Sequence, residues 1–244
     1  MKIGIIGAGP AGISCGIQLK RYGINSRIFE RDEIGSALKE PYKIHNFLGF
    51  PSGIKGKKFQ EKIKKMAKNY NLKIIFDEIK ELNYLNEKFI LKGKKTYKFE
   101  ILVVASGTRP KKYKNLECFS SLKKVKNKNG KEIGIIGGSD VAFDYSLSLK
   151  NAGKIYIFHR SSKPKAIKEL QKAVFLNKNI KYLNNCKILN IEKLKGKIKL
   201  TYIKKGKKEN ILLDFLLNAT GREAEKSFFS PEFRKTEKKL IKKG

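Results

Sequence analysis

The sequence predicts an α/β fold built from two copies of one strand–turn–helix–strand unit, and three observations predict it. Near the start stands Ile3-Gly-Ile-Ile-Gly7-Ala-Gly9-Pro10-Ala11-Gly12, echoed by Ile133-Gly-Ile-Ile-Gly137-Gly138-Ser139-Asp140-Val141-Ala142. Each copy closes on a similar strand, Ile28-Phe-Glu30-Arg31 in the first and Ile157-Phe-His159-Arg160 in the second. The spacing is also kept, with 23 residues from Gly7 to Glu30 and 22 from Gly137 to His159. Each copy therefore reads as a Rossmann-like unit. An apolar strand leads into a glycine turn that aims a helix N-terminus at a pyrophosphate, and a second parallel strand follows.

In the first copy Gly7 permits the turn, Gly9 lets the backbone approach phosphates, and Gly12 lets helix and strand pack closely. The helix carries Ile13, Ile17 and Leu19 and is capped at Gly23. Residues 26–30 form the second strand, and the carboxylate of Glu30 ends it where ribose hydroxyls can donate. A tight strand–helix turn with no ligand is the alternative reading. Phe59, Ile63, Met66, Ala67 and Tyr70 recur at helical spacing, so 57–71 is read as an amphipathic helix. A short strand at 74–76 follows, then a hairpin of 89–91 and 96–99 around Gly93. The apolar run 101–105 suits a buried parallel strand.

Residues 111–131 read as a polar connector. In the second copy, Ser139 stands at the middle glycine position, where its side chain crowds a pyrophosphate. His159-Arg160 replaces the ribose-reading acid. A carboxylate there repels a 2′-phosphate and a cation attracts one, so this copy favours NADP(H), with NAD(H) left open. The alternatives are a half-buried His159 at a strand end and a solvated Arg160. Residues 165–177 follow as a helix with Ile167, Leu170 and Val174 on one face. Strands over 187–213 turn at Gly196 and Gly206, 215–219 is a buried strand, and 222–244 lead back toward the first domain.

The 244 residues have room for two domains, and 40% of them are hydrophobic. The formal net charge is +34, yet only seven of the 56 basic residues are arginine and tryptophan is absent. Lysines spread along the chain read as a solvated surface. A nucleic-acid binder would cluster arginine with aromatics, so no specific nucleic-acid partner is expected. The charge does favour encounter with acidic partners. Cys15, Cys118 and Cys186 show no disulfide framework, and Cys15 reads as a small packing residue. No apolar run approaches a membrane span, and Met1 leads directly into a strand, so a cytoplasmic protein without a membrane partner is expected.

Several ordered motifs resemble the thioredoxin-reductase-like branch of the FAD/NAD(P)-dependent pyridine nucleotide-disulfide oxidoreductases. Gly9-Pro10-Ala11-Gly12 is one. His45-Asn46-Phe47-Leu48-Gly49-Phe50-Pro51 resembles the segment that lies against the flavin, and Gly35-Ser36-Ala37-Leu38 falls where the family approaches the ring. Val103-Val104-Ala105-Ser106-Gly107-Thr108-Arg109-Pro110 and Asn218-Ala219-Thr220-Gly221-Arg222 match the strand ends that leave the two domains. His159-Arg160 matches the start of the family's phosphate-binding run, with Ser161 in place of an arginine and Lys163 and Lys165 as substitutes. The resemblance implies an FAD domain (1–112), an inserted NAD(P) domain (113–221) and a truncated return segment (222–244). Each domain is implied to pair a parallel sheet with a small antiparallel meander. It further implies hinges near Arg109-Pro110-Lys111 and after Gly221-Arg222.

The same resemblance implies FAD on Gly7, Gly9, Pro10, Ala11, Gly12, Glu30, Arg31, Gly35, Ser36, Asn46, Ala105, Ser106 and Gly107. It implies NADP, with NAD as the alternative, on Gly137, Gly138, Ser139, Asp140, Val141, His159, Arg160 and Gly221. The chemistry would be carried by the flavin, with Asn46 as its polar contact, no catalytic side chain and no metal. His45 is read as structural. Two departures matter. The family's Cys-x-x-Cys is missing, so a dithiol relay within one chain is excluded and a thioredoxin reductase proper is disfavoured. The Gly-Asp segment that completes the family's FAD domain does not follow Gly221, so a fragment is expected. The reading is an FAD-dependent NAD(P)H oxidoreductase. Its acceptor is a ferredoxin- or flavodoxin-like carrier, a small disulfide or a quinone, and a homodimer is left open. The alternatives are a degenerate nucleotide-binding protein without activity and a lysine-rich nucleic-acid binder.

Overall fold

A computed structural model of the chain describes residues 1–39, 41, 43–111, 122, 125, 128–149 and 151–241. The chain divides into two compact units. The first comprises Met1–Lys39, Lys57–Arg109 and Ala224–Gly244, and the second Glu40–Gly56 and Pro110–Glu223. Cys118, most of the 111–131 connector and the last three residues lie outside the described residues.

In the first unit β1 (Ile3–Ile6), α1 (Pro10–Arg21) and β2 (Ser26–Glu30) form the strand–helix–strand repeat. Pro10 sits in the first turn of α1, where its missing N–H costs nothing. After α2 (Gly56–Asn69) come β3 (Lys73–Phe76), β4 (Glu81–Leu85), β5 (Lys88–Lys92), β6 (Thr96–Phe99) and β7 (Ile101–Val104). The parallel sheet has the order β3-β2-β1-β7, and β4-β5-β6 is an antiparallel meander. The sequence reading missed β4. Its turn to β5 uses Asn86 and Glu87, both at positive φ, rather than a glycine signal. The meander packs on the sheet through Phe99, whose ring lies over Gly4.

Two expectations for this unit need correction. β7 is parallel to β1 but is not buried: Ile101 and Val104 are each about two-fifths exposed. The reason is its place at the edge of the sheet, which a run of apolar letters does not reveal. In α2 the buried stripe is Phe59, Ile63 and Ala67, while Met66 and Tyr70 are exposed. The apolar face is therefore narrower than the spacing predicts.

The chain passes between the units in β8 (Thr108–Pro110). The second unit repeats the first with β9 (Glu132–Ile136), α3 (Asp140–Ser148) and β10 (Lys154–Phe158), followed by α4 (Lys168–Phe175) and β11 (Ile180–Leu183). A meander of β12 (Cys186–Leu194), β13 (Lys197–Lys204) and β14 (Lys207–Leu213) precedes β15 (Phe215–Asn218). The parallel order β11-β10-β9-β15 matches the first sheet position for position. The meander turns at Lys195-Gly196 and Lys205-Gly206, with positive φ at all four residues, as two-residue hairpin turns require. Leu213 lies over Gly134 as Phe99 lies over Gly4. The helix expected from 165 begins only at Lys168, and Ile167, placed on its buried face by spacing, is its partly exposed N-cap.

After β16 (Arg222–Ala224) the chain returns to the first unit and ends in α5 (Pro231–Ile241). Phe228, Phe229 and Phe233 join Phe29, Leu82, Leu91 and Phe99 in one core cluster. The Leu82 amide donates to the Phe228 carbonyl at 2.7 Å. The Ser230 hydroxyl accepts from the Phe233 amide and so caps α5.

Candidate functional site

The strand registers place the two turns in equivalent positions. Ile6 pairs with Phe29 and Ile136 with Phe158, so Gly7 stands beside Glu30 and Gly137 beside His159 despite the one-residue difference in spacing. The Gly7 amide donates to the Phe29 carbonyl at 2.8 Å, and the Gly137 amide to the Phe158 carbonyl at 3.0 Å. Both glycines have positive φ, 102° and 148°. A Cβ on either would overlap a carbonyl oxygen, that of Ala105 in the first unit and of Ala219 in the second. The repeat thus extends to the strand ends Ala105-Ser106-Gly107 and Ala219-Thr220-Gly221.

In the first unit several expected residues converge on this turn. A Cβ at Gly12 would overlap the Gly7 carbonyl, so the helix can start this close to β1 only with glycine. Gly9 has no heavy atom within 4 Å of where its Cβ would stand. Its backbone is extended, with φ −78°. Room, and not conformation, is what glycine provides there. Pro10 and Ala11 begin α1, with the Ala11 side chain exposed. The Glu30 carboxylate accepts from the Ala8 amide at 2.9 Å and from the Asp32 amide at 3.2 Å. Gly35 donates to the Ala8 carbonyl at 3.0 Å, and Ser36 opens the short 3-10 turn beside it.

Glu225, absent from the sequence reading, closes the group. Its amide donates to the Gly107 carbonyl, and its own carbonyl accepts from the Ser106 hydroxyl at 2.8 Å. Burial raises the pKa of the Glu225 carboxyl. The Ser227 hydroxyl and amide, with Arg109 and Arg31, outweigh this and leave it lowered. Arg31 is thus a neighbour of Glu225. Asn46 and His45 are exposed and belong to the second compact unit, in a loop tied by a bridge between Ile44 and Ile54.

In the second unit His159 is not half-buried at a strand end but buried. Its ring fills the space where a Cβ on Gly138 would stand, and its Nδ1 lies 2.7 Å from the Tyr182 hydroxyl. Burial first, then Lys165 and Arg160, lowers its pKa. The imidazole is therefore held neutral, and the cations beside the turn are Arg160 and Lys165. The Lys165 amide donates to the Gly138 carbonyl at 2.7 Å, which anchors that lysine at the turn. Ser139 is the N-cap of α3 with extended backbone at φ −103°, which serine adopts without strain. The Asp140 carboxylate accepts from the Ile167 amide at 2.9 Å. Val141 faces Asn218, Ala219 and Gly221 across a small gap.

Gly221, at φ 134°, accepts from the Lys111 amide at 3.0 Å, and the Asn218 side chain donates to the Lys111 carbonyl. The sequence reading also missed Asp144. One turn beyond Asp140 on α3, it has a buried carboxylate oxygen with no hydrogen-bond partner. Burial, then Asp140, raises its pKa to about 7. No metal-binding cluster of His, Cys, Asp or Glu occurs among the described residues. Among them no helix is long and apolar enough to cross a membrane.

Comparison with known proteins gives this geometry a context. The family described as pyridine nucleotide-disulphide oxidoreductase matches residues 1–242. A ferredoxin–NADP reductase of Pelagibacter ubique is 31% identical, over 75% of this chain and 62% of its own length. A thioredoxin reductase of Chlamydia pneumoniae is 29% identical, over 77% of this chain and 66% of its own length. The chain spans about two thirds of the length of the curated relatives it matches. The crystal structure of Lactococcus lactis thioredoxin reductase superposes with a TM-score of 0.82 at 19% identity, covering 95% of this chain and 79% of that one. At that identity the likeness is one of fold.

Proposed function

The chain belongs to the pyridine nucleotide-disulphide oxidoreductase family, and on that premise we propose that it is an FAD-dependent NAD(P)H oxidoreductase with an external electron acceptor. The observation that carries the proposal is the pair of unequal cradles. At Gly9 a helix N-terminus faces open space, which suits the pyrophosphate of FAD. At Gly137-Gly138 the turn has Arg160 and Lys165 nearby, which suits a phosphorylated ribose, and so NADPH over NADH.

Bound FAD would supply the two-electron chemistry, taking hydride from NAD(P)H and passing electrons on. The protein's own part is to bind, orient and exclude water. Gly7, Gly9 and Gly12 bring backbone to the FAD pyrophosphate. Glu30 is partly spent on the Ala8 and Asp32 amides, which fixes its carboxylate at the strand end for the ribose hydroxyls. Arg160 reads the 2′-phosphate as a fork and Lys165 as a point charge. His159 positions the turn and carries no charge to the ligand. Neither Cys15 nor Cys186 has a cysteine neighbour at dithiol spacing, so the acceptor is taken to be a separate molecule. A small acidic redox carrier fits a chain of net charge +34, and a small disulfide or a quinone is the alternative.

Purified protein tests the reading. It is expected to be yellow, or to turn yellow with added FAD, and to bleach with NADPH without oxygen. Colourless protein that cannot be reconstituted would leave a nucleotide-binding remnant. Arg160→Glu is expected to weaken NADPH by about 10- to 100-fold and NADH far less. Equal loss for the two nucleotides would sink the phosphate-reading role.

A further inference from the structure

A cavity of about 630 Å³ lies away from both glycine turns. It lies in the first unit at the opposite end of the sheet, where β1, β2 and β3 begin: Ile3, Ser26 and Lys73 line it. The Gly7 turn lies beyond the other ends of these strands, about 13 Å away for four residues of strand. The volume is within the range of small-ligand clefts. Its lining is of one sign. Lys2, Lys20, Arg27, Lys73 and Lys98 reach it from five separate segments, and no Asp or Glu lines it.

Arg27, Lys73 and Lys98 have no ion pair among the described residues. Lys20 donates only to Asn25, at 3.1 Å. Of the carboxylates beside it, Glu100 is engaged by the Lys2 amide at 2.8 Å and the terminal amine of Met1 at 3.6 Å, and Asp77 by the Lys94 amide at 2.9 Å and the Tyr97 hydroxyl at 3.1 Å.

Helix C-termini point toward this end of the sheet and disfavour an anion. Their carbonyls are however closed by backbone donors, from Tyr22, Gly23 and Ile24 on α1 and from Tyr70, Asn71 and Leu72 on α2. The aromatic rings at the cavity are not stacking platforms. Phe99 is 3% exposed and packs edge-on against Phe29. Tyr97 packs on the same ring, with its hydroxyl bonded to Asp77. Single-stranded nucleic acid is therefore a poor fit, since its binding needs exposed rings between the cations.

We propose that this cavity is a binding site for a small polyphosphate, a linear chain of two or three phosphate groups held by Arg27, Lys73 and Lys98 with Lys2 and Lys20 at its rim. Converging cations from separate elements suit an extended chain of anionic oxygens, and a single acid among them would spoil the field. The site is independent of the nucleotide turns and stands or falls apart from them.

Calorimetric titration of the full chain with inorganic tripolyphosphate at fixed ionic strength tests it. Lys73→Glu combined with Lys98→Glu is expected to weaken binding about tenfold or more, whereas the same charge change at Lys207 and Lys208 should shift it by less than about twofold. Arg160→Glu should leave the part of the binding that depends on Lys73 and Lys98 unchanged. Should charge reversal impair folding, Lys73→Gln with Lys98→Gln reads the same contrast with a smaller loss. In the part of the binding that depends on Lys73 and Lys98, ATP, which the two glycine turns also suit, is expected to be held no more tightly than tripolyphosphate, because no ring is free to stack on the base. Absence of binding, equal weakening by the Lys207/Lys208 control, or, in the part of the binding that depends on Lys73 and Lys98, loss in Arg160→Glu or clearly tighter binding of ATP would each overturn the assignment.

Discussion

The two glycine turns share topology, register and main-chain hydrogen bonds, yet they are finished in opposite ways. In the first, the residue at the strand end is an acid whose carboxylate bonds to the backbone N–H of Ala8. In the second, it is a histidine whose ring packs against the Cα of Gly138. The residue after the first glycine follows from this. Alanine is accommodated at position 8 because Glu30 reaches its amide, and position 138 must be glycine because His159 occupies the Cβ space. The helix start differs as well. Gly12 abuts the Gly7 carbonyl, whereas its counterpart Ala142 sits fully buried in the second core. The lesson is that a repeated motif is not a set of independent positions. A change at the strand end is answered two residues into the turn.

Three sets of substitutions bear on this comparison. The largest effect is expected from Gly12→Ala, since the overlap is with rigid backbone and no side chain can yield. It should cost the first unit about 3 kcal/mol in urea unfolding, while Ala142→Gly should cost only about 1 kcal/mol. Similar costs at the two positions would show that the turns are closer in structure than described.

Next is Gly138→Ala, with an expected loss of about 2 kcal/mol from overpacking against the His159 ring. Adding His159→Ala should relieve much of that loss, a coupling that a double-mutant cycle measures directly. Additive effects would break the proposed link between the two positions.

The smallest effect concerns Asp144, whose counterpart in the first helix is the exposed Ser14. Its folded pKa of about 7 lies above the ordinary carboxyl value of 3.8. The folded state therefore holds a proton that the unfolded state releases, and stability declines as the pH rises from about 4 to about 7. Asp144→Asn should then raise stability at pH 8 by about 1 kcal/mol, after allowance for screening of a partly exposed carboxyl. The gain should vanish near pH 4. His159 acts in the other direction. Burial lowers its pKa, so its contribution is complete above the ordinary imidazole value of 6.5 and declines as the pH falls below it. A gain for Asp144→Asn that did not vary with pH would point to packing instead of charge.

Much of the fold was legible because it rests on local rules. The glycine turns, the helix after each and the hairpins at Gly196 and Gly206 follow from backbone sterics and from apolar spacing within a few residues. β4 escaped because Asn86-Glu87 makes its turn without glycine. The exposure of Ile101 and Val104 escaped because an edge strand is defined by its neighbours. Within the candidate sites, Gly7, Gly12, Glu30 and Arg160 carried their signal in residue type and spacing. Glu225 and Tyr182 carried none, since each is brought to its turn by chain distant in sequence, and Asp144 carried none because its burial in the fold, not its spacing, sets its character.

By itself, then, the sequence determined the doubled unit and its parallel strands, because those depend on local conformation. Only the tertiary structure decided that His159 is an uncharged packing residue, that Lys165 is anchored at the Gly138 carbonyl, and that five cations surround a cavity at the far end of the sheet. Burial and long-range convergence set those properties, and neither is written in the order of residues along a strand.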